Sequence, residues 1–141
     1  MTTRDAQAPA DAQFIGRWSP RAFNGEALSH AQVMTLIEAA RWAPSCFNSQ
    51  PWRFVYATKD SEHWPAMLNL LMDMNQAWAQ HAGALIAVVS RKTFQGNDAP
   101  APTHSFDTGA AWMSMALQAQ SMGLASHAMW GIDCLLYTSD A

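Results

Sequence analysis

The chain has 141 residues, which is enough for one domain with a hydrophobic core. Half of the residues are hydrophobic, only 13% are charged, and the net charge is -3. Because the eight Lys and Arg residues are scattered and the balance is acidic, the composition argues against binding of nucleic acid or of an anionic membrane surface.

The N-terminal part leads from a polar tail into a helix. Residues 1–13 are rich in Ala, Thr and Pro and are expected to be disordered, so that the ordered domain begins near Phe14. This tail lacks the apolar core of a signal peptide, and the expected location is the cytoplasm. Ser29 and Gln32 form a capping-box pattern before apolar residues at helical spacing, and Pro44 ends the pattern. The sequence therefore predicts a helix over roughly residues 30–42.

The middle of the chain alternates between strand and helix patterns. Residues 52–58 are rich in aromatic and β-branched side chains, which predicts a strand. The pattern over residues 61–81 predicts a helix, with a second short helix opening over 75–78. Residues 84–90 predict a short buried strand. The Gly- and Pro-containing residues 91–103 predict a long loop, of a kind that often covers a cofactor.

A helix predicted over residues 105–122 is hydrophobic nearly all round, with Gly123 as its C-terminal cap. Its apolar residues form two faces, one with Phe106, Ala110, Met113 and Leu117 and the other with Trp112, Met115, Ala119 and Met122. A helix without a polar face must be covered on every side. Seven Trp and nine Met residues add further apolar surface, and together these features predict a homodimer with this helix in its core.

Several classes of site are absent from the sequence. The five His residues have no metal-ligand spacing, and there is no Gly-rich phosphate loop or nucleophile elbow, so we predict no metal site and no hydrolytic centre. The two cysteines, Cys46 and Cys134, do not indicate a disulfide scaffold. Cys46 is either a small buried residue, which is the commoner behaviour of free cysteine, or a reactive thiol.

Two short motifs flank the first predicted helix. Arg17, Ser19 and Arg21 precede it, so two guanidinium groups and a hydroxyl could converge on one phosphate. Residues 43–52 follow it and read Ala-Pro-Ser-Cys-Phe-Asn-Ser-Gln-Pro-Trp, where Asn48 and Gln50 supply amide donors and acceptors. Each motif alone could be a solvated loop or a helix stop. Their occurrence in this order, with one helix between them, is specific.

Both motifs resemble those of the FMN-dependent nitroreductase family, Arg-x-Ser-x-Arg-x-Phe and Ala-Pro-Ser-x-x-Asn-x-Gln-Pro-Trp. The resemblance implies an α+β fold, with a central mixed, mainly antiparallel sheet flanked by helices on both faces, and a flavin bound between the subunits of a homodimer. Family members continue beyond Ile132 into further sheet and helix. The domain over residues 14–133 is therefore expected to be incomplete and to bind FMN weakly. Residues 134–141 are expected to be a non-native tail, the alternative being a genuine divergent one.

The resemblance also implies which residues bind the cofactor. The ribityl phosphate of FMN would be held by Arg17, Trp18, Ser19 and Arg21. The flavin or ribityl chain would be reached across the dimer interface by Pro44, Ser45, Asn48 and Gln50. Asn75 would hydrogen-bond the isoalloxazine, and the site would be lined by the backbone of Met129, Trp130 and Gly131. His104 and Phe106 are candidates for the substrate pocket. No catalytic side chain is predicted, because the flavin carries the electrons.

The function implied by the resemblance is NAD(P)H oxidation coupled to reduction of nitroaromatic, quinone or similar electron-poor acceptors, by ping-pong transfer through FMN. Two alternatives stay open at this point. One is a flavoenzyme of the same fold with other chemistry, such as reductive dehalogenation or flavin cleavage. The other is a flavin-free dimeric binding module.

Overall fold

The computed structural model describes residues 4–132, and the predicted tail at 134–141 lies outside them. The elements follow in chain order as α1 (Ala12–Gly16), α2 (His30–Arg41), β1 (Trp52–Thr58), α3 (Trp64–Asn69), α4 (Asp73–Ala79), β2 (Ala84–Ser90) and α5 (His104–Ser121). A single 3-10 turn, Cys46–Asn48, lies between α2 and β1. The predicted positions of α2, β1, β2 and α5 agree with these bounds within one residue.

The two strands pair antiparallel over their full length, from Trp52 opposite Ser90 to Thr58 opposite Ala84. Ile86 packs with α2 and α5, whereas its neighbour Leu85 packs with α3. Because successive side chains of a strand point to opposite faces, helices cover both faces of the sheet. The predicted α+β architecture is thereby confirmed. The described residues contain only antiparallel pairings, so the mixed character expected of the sheet is not seen among them.

The hydrophobic core has two parts. The first joins α2, the start of β1 and α5, and its buried members are Leu36, Ala40, Ala43, Trp52, Ala111, Met115 and Ala119. Ala40 on α2 and Ala111 and Ala119 on α5 have small side chains, which leave room for the two helices to approach closely. The second part lies on the other face of the sheet, where Leu71, Ala79, Ala82 and Leu85 are buried.

The central helix α5 is covered on one side by its own chain. Its buried residues are Asp107, Thr108, Ala111, Met115, Ala116 and Ala119. Met113 and Leu117 are only half-buried, and Phe106 is 80% exposed. The chain by itself therefore covers the face of Met115 and Ala119 and leaves much of the Phe106 face open.

Two local expectations differ from the structure. The helical stripe predicted over residues 61–81 is broken, because Met72 has an extended backbone (φ -60°, ψ 148°). The separate helix that follows, α4, contains the second short helix predicted over 75–78. Met72 is consequently exposed instead of continuing the apolar face. At the N-terminus, α1 begins at Ala12, two residues before the predicted start of order, with the Asp11 side chain accepting the Gln13 N–H at 2.9 Å.

A partly open, largely apolar cavity of about 540 Å³ lies between the two parts of the core. Five consecutive residues of β2, from 84 to 88, line it. Since consecutive residues alternate between the faces of a sheet, the cavity must run along the edge of β2 that faces away from β1. Within residues 4–132 no further strand pairs with this edge, and an edge of this kind beside apolar surface favours association with further polypeptide.

Candidate functional site

The arginine segment, residues 17–23, leaves α1 beside the C-terminal end of α5. Arg17 caps α1, and its Nη1 donates to Ser19 Oγ at 3.4 Å. Arg21 is exposed. A Cβ at Gly16 would lie 3.2 Å from Gln120 Nε2, which places the start of the segment against the last turn of α5. The structure thus brings Arg17 and Ser19 within hydrogen-bonding distance of each other, without Arg21.

Aromatic packing and one hydrogen bond hold the rest of this segment. Phe23 stacks on Trp78 of α4 with ring centroids 6.1 Å apart, and Trp78 contacts the His127 ring at 4.6 Å. His127 Nδ1–H donates to the carbonyl oxygen of Pro20 at 2.9 Å. The arginine segment, α4 and the chain following α5 therefore meet in one place.

Asn75 lies at this meeting point and holds the backbone of the last described residues. Its Nδ2 donates to the carbonyl oxygens of Trp130 at 3.1 Å and Gly131 at 3.4 Å. The Met72 N–H donates to the same Gly131 oxygen at 2.9 Å. The two bonds from Nδ2 fix the orientation of the Asn75 side chain.

Gly131 is required by this arrangement. Its φ of 116° is one that L side chains rarely adopt, and a Cβ there would lie 2.6 Å from Asn75 Nδ2. Next to it, Trp130 is 92% exposed, while Met129 packs against the second part of the core. Asn75, Met129, Trp130 and Gly131, which the sequence placed in two separate segments, are thus neighbours.

The amide loop, residues 44–50, connects α2 to β1 in a tight, strained conformation. Phe47, Asn48 and Gln50 all have a positive φ, of 52°, 53° and 46°. Asn adopts this region readily, whereas for the other two it is uncommon. Ser45 closes the loop, because its carbonyl oxygen accepts the Asn48 N–H at 2.9 Å and its Oγ accepts the Gln50 N–H at 3.0 Å. Such strain is typical of functional sites.

A residue that sequence reasoning missed ties this loop to α5. Asp107, in the first turn of the helix, is only 4% exposed. Its Oδ2 accepts the Cys46 N–H at 3.1 Å and the Thr103 hydroxyl at 3.0 Å. The helix dipole alone favours an acidic residue in the first turn, so the position of Asp107 in the sequence did not indicate a contact with the loop. An acidic residue at the start of an otherwise apolar helix was the available signal.

The twelve predicted cofactor residues form two groups. One, the phosphate-end group, begins at Arg17, which follows the contact between Gly16 and the last turn of α5. The other, the amide-loop group, is made by Pro44, Ser45, Asn48 and Gln50, and Asp107 ties it to the first turn of α5. At about 1.5 Å per residue, the helix from Asp107 to Gln120 spans about 20 Å. The phosphate-end group consists of Arg17, Trp18, Ser19, Arg21, Asn75, Met129, Trp130 and Gly131.

The two candidates for the substrate pocket lie at the amide-loop end. His104 Nδ1 and Ser90 Oγ are hydrogen-bonded at 2.7 Å, which joins the start of α5 to the end of β2. Phe106 is exposed on the first turn of α5. Phe47, 91% exposed, meets Phe94 of the 91–103 loop edge to face at 5.9 Å. An aromatic contact therefore joins the amide loop to the 91–103 loop.

Other kinds of site find no support in the part of the chain that the structure describes. Within residues 4–132, no group of three or more His, Cys, Asp or Glu side chains could hold a metal ion. No helix in the same range has the length and apolar character needed to cross a membrane.

Comparison with known proteins connects this geometry to a family. The sequence profile of the nitroreductase family matches residues 15–77, which include both motifs and Asn75. An oxidoreductase containing FMN has 46% sequence identity and a TM-score of 0.90, over 99% of this chain and 75% of its own. No curated protein matches the sequence.

Two less similar structures share the fold over shorter spans. One, from Parabacteroides distasonis, is described as an NADH dehydrogenase/NAD(P)H nitroreductase and has 25% identity and a TM-score of 0.63, over 80% of this chain and 62% of its own. The other, from Desulfovibrio desulfuricans, is described as a nitroreductase in complex with FMN and has 24% identity and a TM-score of 0.65, over 83% and 65%. The chain thus spans less than two thirds of these two proteins. On the strength of the profile match and the 46% identical relative, the chain belongs to the nitroreductase family.

Proposed function

We propose that this chain forms an FMN-dependent oxidoreductase in which each flavin is held between two copies of the chain. The observation that carries the proposal is the separation of the two residue groups along α5, about 20 Å at 1.5 Å per residue. The relative with 46% identity contains FMN, which supports the same cofactor here.

The phosphate-end group has the chemistry that a phosphate requires. Arg17 and Ser19 already lie within hydrogen-bonding distance, and Arg21 is exposed nearby in the sequence. Guanidinium groups bind phosphate oxygens through charge-assisted hydrogen bonds. The exposed amides of Asn48 and Gln50 in the other group suit a polar ring edge or a ribityl chain. The residues present therefore fit FMN.

A two-fold dimer brings these groups together in a simple way. If two α5 helices pack antiparallel about a two-fold axis, the N-terminal end of one lies beside the C-terminal end of the other. The amide loop of one copy then meets the phosphate-end group of its partner. The same packing would cover Phe106, Met113 and Leu117, which one chain leaves open or half-buried.

The proposed reaction needs no acidic or basic side chain of the protein as a catalyst. Bound FMN would supply hydride and electron transfer between a nicotinamide donor and a second substrate. The chain's residues would bind the phosphate, orient the ring and form the walls of the pocket. We propose NADH or NADPH as donor, in line with the name of the Parabacteroides protein, and nitroaromatics, quinones or similar electron-poor molecules as acceptors in a ping-pong cycle.

The test is complementation between two inactive variants, read by the visible absorbance of protein-bound FMN after free flavin is removed. One variant carries Arg17→Ala with Ser19→Ala, and the other carries Asn48→Ala with Gln50→Ala. In a site shared between copies, the mixed dimer has one site with all native residues. After unfolding and refolding together, free pairing should restore about one quarter of the wild-type sites.

Two results would contradict the proposal. If each variant alone lacks flavin and the mixture also lacks it, the site lies within one chain. If the wild-type chain binds no FMN even in excess, the flavoenzyme assignment itself fails for this polypeptide. The control for refolding is each variant unfolded and refolded alone.

A further inference from the structure

We propose that Asp107 is a positioning residue, whose buried carboxylate holds the amide loop in the conformation that binds the cofactor. The inference rests on the proposed function for the cofactor, but the attachment of the loop can be measured without it. The proposal starts from one oxygen atom, Oδ2 of Asp107, which accepts hydrogen bonds from two different segments.

The first of these bonds crosses from one part of the fold to another. The Cys46 N–H belongs to the amide loop, 61 residues before Asp107, and lies 3.1 Å from Oδ2. The second donor, the Thr103 hydroxyl at 3.0 Å, belongs to the residue that caps α5 and fixes the carboxylate on its helix. The Asp107 N–H also donates to the Thr103 carbonyl oxygen at 2.9 Å. A rigid helix end thereby holds the loop.

The loop needs such an attachment because its own conformation is unfavourable. Phe47 and Gln50 have positive φ angles, which a non-glycine residue keeps only when surrounding contacts determine its conformation. Ser45 provides two contacts from within the loop. The Cys46–Asp107 bond is the one that also fixes the loop relative to α5. Phe47 is 91% exposed, so burial of its side chain does not hold it in place.

A carboxylate suits this role better than a neutral group. Hydrogen bonds to an ionised acceptor are stronger than those between neutral groups. The first turn of a helix also favours negative charge. At 4% exposure the side chain needs partners for its oxygens, and the loop N–H is one of them. Helix and loop thus stabilise each other at the cofactor site.

The experiment measures the freedom of the loop through the thiol of Cys46, in a Cys134→Ser background that leaves it as the single cysteine. The probe is the rate of reaction with a disulfide reagent, 5,5′-dithiobis(2-nitrobenzoate). Asp107→Ala removes the oxygen that accepts both hydrogen bonds, and labelling should rise by about tenfold or more, the factor that loss of a charge-assisted hydrogen bond gives. Asp107→Asn keeps a side-chain oxygen but not the charge, so its labelling rate should lie between those of wild type and Asp107→Ala.

Two further variants guard against general destabilisation. Thr103→Val removes one donor but leaves the Cys46 bond, and should raise labelling less than Asp107→Ala does. Thr108→Val alters the next residue of α5, whose buried hydroxyl has no hydrogen-bond partner within the described residues, and should leave labelling unchanged. If Asp107→Ala does not fold, faster labelling of Thr103→Val and Asp107→Asn than of Thr108→Val still tests the attachment.

FMN titration completes the test. Asp107→Ala should weaken FMN binding by about tenfold, with partial recovery in Asp107→Asn. The proposal would be overturned if Asp107→Ala is labelled at the wild-type rate, or if Asp107→Asn is labelled as fast as Asp107→Ala. So would increased labelling with unaltered FMN affinity. If the wild type itself binds no FMN, the proposed function fails while the labelling rates still decide whether Asp107 holds the loop.

Discussion

Replacing Gly131 with alanine is expected to detach the segment around Trp130 from α4. Its φ of 116° disfavours any side chain, at about 1–3 kcal/mol. The new Cβ would also lie 2.6 Å from Asn75 Nδ2, so that side chain must move and lose its 3.1 Å bond to the Trp130 carbonyl oxygen. That bond adds about 1 kcal/mol, for a total of about 2–4 kcal/mol.

Amide hydrogen exchange at Met72 provides the assay, because its N–H donates to the Gly131 carbonyl oxygen at 2.9 Å. A local change of about 2–4 kcal/mol should accelerate this exchange by about 30- to 700-fold. Gly123→Ala is the matched control. Its φ is also positive, at 72°, but nothing lies within 4 Å of the added Cβ, so Met72 exchange should not change.

A double-mutant cycle with Asn75→Ala tests the stated cause. Removing the Asn75 side chain removes the steric conflict, so the double variant should be less affected than the sum of the single variants, by at least about 1 kcal/mol. Additive effects within about 0.5 kcal/mol would refute the steric argument and leave only backbone strain. Unchanged Met72 exchange in Gly131→Ala would refute both contributions.

Three further predictions concern stability and binding. Gly83→Ala places a Cβ against the Glu26 carbonyl oxygen, so the free energy of unfolding measured in urea should fall by more than about 2 kcal/mol. A wild-type free energy of unfolding would contradict this. Ser29→Ala removes the capping box of α2 and should lower the free energy of unfolding by about 1 kcal/mol, whereas Ser29→Asp should retain it; equal losses would refute a capping role. Arg17→Gln should weaken FMN binding by about tenfold or more, while Arg41→Gln, at an exposed ion pair on α2, should not; equal effects would argue against a phosphate contact at Arg17.

Much of the fold was predictable because its signals are local. The capping box at Ser29 and the stop at Pro44 define α2, and the structure contains both hydrogen bonds of that box. The aromatic and β-branched run over 52–58 is β1. The short helix predicted over 75–78 indicated α4, but the extended residue that separates α4 from α3 was not predicted, because apolar residues on both sides of Met72 keep helical spacing. The backbone of Met72 is stabilised by a hydrogen bond from its N–H to the Gly131 carbonyl oxygen. That partner is remote in sequence.

The sequence by itself determined the family resemblance and the chemistry of the candidate site, since the Arg17 and Asn48 motifs are short and carry their functional groups directly. Tertiary structure alone decided where those groups lie: the arginine segment at one end of α5 and the amide loop at the other. It also turned Asn75 towards the backbone of Trp130 and buried Asp107 beneath the amide loop. The physical reason is that these contacts join residues 55 and 61 positions apart, which no local pattern specifies.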